Sequence, residues 1–118
     1  MARKLLFVVF TNDPCKRNHA FLWAADLAQH GHHVRILLEG EGTQSLKERE
    51  GHFGELFEKA RGLGLIAGAC KAASAGCKDP DRDVTPIAQE LGLELFDGAG
   101  GHASIAPFVD QGYEVVTF

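Results

Sequence analysis

The residues best able to do chemistry in this chain are its three cysteines and six histidines. One of the cysteines sits where a fold could use it. The segment Leu63-Gly-Leu-Ile-Ala-Gly-Ala-Cys70-Lys-Ala-Ala-Ser-Ala-Gly-Cys77 stays apolar for a strand's length, stops at Cys70, and continues into small residues able to start a helix. In an open parallel sheet the carboxyl ends of the strands line the ligand crevice. A cysteine there is expected to meet unsatisfied backbone N–H groups and the positive end of a helix, both of which lower a thiol's pKa. Lys71 adds positive charge beside it. The competing reading is a small buried thiol packed at a strand end, since free cysteine is among the most buried residue types. Exposure decides between the two.

The other candidates are weaker. Cys15 falls in the first turn of the first helix, on the same sheet edge as Cys70 and near it only if their strands are neighbours. Cys77 follows Cys70 by seven residues, about 10 Å along a helix, too far for a disulfide unless Gly76 breaks the helix. For both, packing is the leading reading. His30, His32 and His33 cluster around a helix stop at Gly31 on the opposite edge and take no functional role. His19 and His102 can approach the crevice, as can the Asn12 turn. No paired zinc-ligand spacing of the C-x2-C or H-x3-H kind links these residues, so no metal is expected. Gly98-Ala-Gly100-Gly-His-Ala103 matches G-x-G-x-x-A, but no acidic ribose partner follows about twenty residues on. A tight turn with Gly100 and backbone N–H groups offered to an anion is the reading kept.

The elements that must position these residues follow from periodicity and turn chemistry. Lys4 to Thr11 reads as a strand buried on both faces. Asp13-Pro14 reads as N-cap and first helical residue, opening a helix with Ala20, Phe21, Ala24, Leu27 and Ala28 on one face and a stop at Gly31. His33 to Leu38 is the second strand and Gly40 to Gln44 a loop. Leu46 to Arg61 is helical, with Gly51 and Gly54 weakening its middle enough to allow two short helices. Leu63 to Ala69 is the third strand, Cys70 to Gly76 a helical turn, and Lys78 to Asp83 a solvated connection. Thr85-Pro86 opens a helix ended by Gly92. Leu93 to Phe96 is the fourth strand, Ser104 to Gln111 the last helix, and Tyr113 to Phe118 the fifth strand. Strands alternating with helices indicate an α/β fold: one domain over residues 1–118, a three-layer α/β/α sandwich around a mostly parallel five-stranded sheet.

Composition narrows the function classes. At 118 residues the chain can bury a core without a disulfide or structural metal. A net charge of −4 argues against nucleic acid as a partner. No apolar run is long enough to cross a bilayer, so no membrane association is expected. The charged start before Leu5 to Phe10 lacks a small-residue cleavage site, and an odd cysteine count suits a reducing compartment, so a cytoplasmic address is expected.

On Lys4-Leu-Leu-Phe-Val-Val-Phe10 with its helix, Gly68-Ala-Cys70-Lys-Ala-Ala, Asp97-Gly-Ala-Gly100 and Tyr113-Glu-Val-Val-Thr-Phe118, the chain resembles the DsrE/TusD family of small sulfur-relay proteins over nearly its full length. In that family a cysteine after the third strand carries sulfur as a persulfide, and Cys70 matches that position. The resemblance implies a trimer or hexamer, a persulfide donor and a thiol acceptor among other proteins, and no cofactor. Cys70 would be the catalytic thiol, with Asn12, Cys15, His19, Lys71, Gly100 and His102 around the approach. Cys15 and Cys77 match no family position. The alternative reading is a non-catalytic small-ligand or anion-binding module, or an oligomeric interaction module, with Cys70 merely lining a pocket.

Overall fold

In the computed structural model, which describes residues 1–76 and 79–118, the chain forms one parallel five-stranded sheet with helices on both faces. The strands are β1 (Lys4–Val9), β2 (His33–Leu38), β3 (Ile66–Cys70), β4 (Glu94–Phe96) and β5 (Glu114–Thr117). The helices are α1 (Pro14–Gln29), α2 (Gly51–Gly62), α3 (Lys71–Ser74), α4 (Thr85–Glu90) and α5 (Ala106–Asp110). The strand order is β4-β3-β2-β1-β5. All pairings are parallel. The expected α/β/α sandwich is what the chain adopts. Cys77 and Lys78 lie outside the described residues, and with them the question of a Cys70–Cys77 pair.

The two layers are unequal. Phe7, Val9, Val34, Ile36 and Leu38 point to one face, where α1, α2 and α4 bring Phe21, Ala24, Phe53, Phe57 and Ala88. Phe21 lies edge-on to Phe53 with ring centroids 5.0 Å apart, and each such buried ring contributes on the order of 2–3 kcal/mol. Leu6, Val8 and Leu37 alternate to the other face, where Phe96, Ala103, Phe108 and Tyr113 cover them. That thinner cover comes from α5 and the loop before it.

Local signals act where turn chemistry is strong. The Asp13 carboxylate accepts from the Lys16 N–H and Pro14 takes the first helical position, so α1 starts as its capping pair requires. Gly31 follows the helix in the left-handed region. The weak middle of the second helical stretch resolves into a 3-10 helix at Gly40–Lys47 and α2 from Gly51. The segment expected as a loop from Gly40 is thus helical and largely buried, because its polar groups find partners: the Thr43 hydroxyl donates to Gly40 O and the Gln44 amide to Arg82 O. Thr85 is inside α4 rather than its cap; Val84 holds that place, while the Thr85 N–H donates to the Asp83 carboxylate.

Candidate functional site

The register of the sheet builds the site. Leu38 on β2 pairs with Ala69 on β3, so the next residues, Glu39 and Cys70, stand side by side at the carboxyl edge. Cys70 in turn pairs with Phe96 on β4. Side chains alternate along a strand, which sends Glu39, Cys70 and Phe96 to the thinly covered face. Gly68 lets β3 and β4 come close: a Cβ there would lie 2.2 Å from Glu94 O and 2.8 Å from the Phe96 ring.

Cys70 caps the N-terminus of α3. Its sulfur accepts the N–H of Ala73 at 3.5 Å and that of Ala103 at 3.4 Å. His102 Nδ1 lies 3.6 Å from the sulfur, and one donor atom each of Glu39, Cys70 and His102 fall within 4.8 Å of one another. Cys70 itself is 0% exposed, yet His102, which covers it, is exposed. The thiol is therefore sealed from solvent by a single layer of side chain and loop.

The electrostatics correct the expected direction of the thiol's pKa. Burial pushes the Cys70 thiol up, the N–H groups of Ala73 and Ala103 oppose this, and the Glu39 carboxylate adds to the rise. The net result lies above the ordinary thiol value. The helix behind Cys70 has only four residues, too short for a substantial dipole. Lys71 does not compensate, because its ammonium pairs with Asp97 at 3.6 Å and both side chains are exposed.

Of the other residues expected around Cys70, His102 reaches its sulfur, whereas Cys15 and His19 stand apart. Gly100 adopts φ 64° in the turn that presents His102, so its contribution is conformational. In this loop the N–H groups of Ala99, Gly101 and His102 go to carbonyls of the same loop, and that of Ala103 goes to the Cys70 sulfur. Asn12 is half-buried at the end of β1. Cys15 and His19 form a second group, because β2 separates β1 from β3 and two strand spacings amount to about 10 Å. The His19 ring Nδ1 sits 2.7 Å from Cys15 O and 3.9 Å from the Cys15 sulfur. With Lys16, Trp23, Thr117 and Phe118 they line a cavity of about 540 Å³.

Glu39 is the residue sequence reasoning missed. Its signal was available: it follows an apolar strand just as Cys70 does. A search for close ligand spacing could not find it, since the three donors come from the ends of β2 and β3 and from the loop after β4.

Compared with protein-family models, curated proteins and solved structures, the chain gives no significant match. The DsrE/TusD resemblance rests on the sequence motifs alone. No helix among the described residues is long and apolar enough to cross a membrane.

Proposed function

We propose that the chain is a sulfur-relay protein that takes sulfane sulfur onto Cys70 and passes it to a thiol of a partner protein. The observation that carries this reading is the setting of the Cys70 sulfur, held by two backbone N–H groups with His102 Nδ1 at 3.6 Å. Such donors stabilise a sulfur anion at the moment it forms. Glu39 and His102 are placed to take the thiol proton as a donor persulfide, R–S–SH, approaches. The Cys70 thiolate attacks the terminal sulfur; the new S–S bond forms as the donor's breaks, and the released thiolate recovers the proton. The products are Cys70–S–SH and R–SH, with no net oxidation and no cofactor. Delivery to an acceptor thiol is the same step in reverse roles.

The raised thiol pKa suits a carrier that stays inert until a donor displaces the cover. The resemblance extends this reading to a cytoplasmic homo-oligomer, a trimer or hexamer. The apolar surface around Trp23, which is 54% exposed, and the exposed Val115 and Val116 of the edge strand support an assembly. A second reading, a ligand-binding or interaction module without chemistry, is favoured by the zero exposure of Cys70.

Incubation with a low-molecular-weight persulfide, followed by intact-mass measurement, separates the two. The relay reading expects one added sulfur on wild type and none on Cys70→Ser. An adduct that survives Cys70→Ser, or none on wild type, sinks it.

A further inference from the structure

We infer that Glu39, Cys70 and His102 form a site for a divalent zinc ion, with a fourth coordination position left for a water or an incoming thiol. The donor set is a thiol, an imidazole and a carboxylate, the three protein ligand types that zinc takes. Their placement fits the ion's geometry. Bonds of about 2.3 Å to sulfur and about 2.05 Å to nitrogen at a tetrahedral angle put the two atoms about 3.6 Å apart. Cys70 Sγ and His102 Nδ1 lie 3.6 Å apart. The Glu39 oxygen lies within 4.8 Å of both, so completing the set takes a closure of at most about 1.4 Å, a movement its rotatable side chain allows.

The surroundings favour the same occupant. Cys70 ends β3 and Glu39 follows β2 directly, so two of the ligands stand on sheet backbone whose spacing is fixed by the ladder. His102 is presented by a turn closed by the Ala99–His102 bridge, which is tied to α3 by the Ala72 N–H to Gly101 O bond. A carboxylate and a thiol share this corner, and among the described residues the neighbouring Lys71 is turned to Asp97 instead. A dication neutralises both. Binding breaks the Cys70 S–H bond, forms Zn–S, and releases one proton to solvent, with no change of oxidation state.

A bound zinc holds the sulfur lone pair that the proposed sulfur transfer uses. On the relay reading, which this consequence alone rests on, zinc and the persulfide compete for Cys70.

The test is titration of chelator-treated protein with Zn²⁺ against a chromophoric chelator, with Co²⁺ as the spectroscopic probe. One zinc per chain is expected, together with a thiolate-to-cobalt charge-transfer band that Cys70→Ser abolishes. His102→Ala, a change at an exposed position that removes a direct ligand, is expected to weaken zinc by more than the roughly 10–100-fold that loss of an outer-shell partner costs. Absence of stoichiometric zinc overturns the inference. So does binding retained in both Cys70→Ser and His102→Ala, or binding lost instead in Cys15→Ser with His19→Ala. Sulfur loading measured in chelator-treated protein is a separate readout, so failure of the metal site and failure of the relay reading are distinguishable.

Discussion

The Nδ1 atom of His102 lies 3.6 Å from the sulfur of Cys70, across 32 residues of chain. This contact closes the cover over a thiol that the sheet register has already placed beside Glu39. The behaviour of Cys70 then depends on two neighbours with different jobs, one setting charge and one controlling access.

Glu39 sets charge. Replacing it as Glu39→Gln removes a negative group that helps hold the Cys70 thiol above its ordinary value. The apparent pKa of Cys70 in chelator-treated protein is expected to fall, and alkylation at neutral pH to quicken in proportion to the thiolate fraction. Iodoacetamide rates across a pH series read this directly. An unchanged or higher pKa would show that burial alone sets it.

The same shift has a consequence for stability. Because the folded-state pKa of Cys70 is raised, folding favours the protonated thiol. That contribution is fully present below the unfolded thiol pKa of about 8.5 and is lost as pH rises through the folded value. Urea unfolding of wild type relative to Cys70→Ser is expected to show a growing deficit above that pH. Parallel curves would contradict it.

His102 controls access. His102→Ala leaves the fold within about 0.5 kcal/mol of wild type, as an exposed substitution should, but uncovers the sulfur. At a pH where the thiolate is fully formed, Cys70 alkylation is expected to rise several-fold. In wild type, peptide-resolved mass spectrometry is expected to find Cys15, which is exposed, labelled well before the buried Cys70. Equal labelling of the two would mean that the cover does not protect.

Gly68 sets the width of the β3–β4 seam. Gly68→Ala drives a methyl group into Glu94 O and the Phe96 ring, and is expected to cost about 1–3 kcal/mol in urea unfolding. It should also speed Cys70 alkylation, since Phe96 pairs with Cys70 across that seam. A neutral effect on both would show that β4 shifts freely.

Arg17 joins α1 to the start of α2. It is nearly buried, bonds Glu48 at 2.6 Å, and lies 3.8 Å over the Phe53 ring. Arg17→Ala is expected to lower stability by about 1–3 kcal/mol, chiefly through lost packing, because Glu48 is half-exposed and can be resolvated. A salt-insensitive loss supports that origin; a loss abolished by high salt does not.

The sequence by itself determined the layers. Apolar runs of strand length, the Asp13-Pro14 cap and the glycine stops mark five strands and most helices, because these signals are local and act within a few residues. It also singled out Cys70, since a strand that ends in a cysteine is visible in one dimension. It did not determine what surrounds the thiol. Strand order put β2 between Cys15 and Cys70 and so separated two groups that share a sheet edge. Register put Glu39 next to Cys70, and the loop after β4 turned the Ala103 N–H onto the sulfur. Those are long-range pairings, and no spacing along the chain encodes them. The pKa followed from them: helix position alone argues for a lowered thiol, but burial and a carboxylate three-dimensionally adjacent outweigh two N–H donors, and the shift is upward.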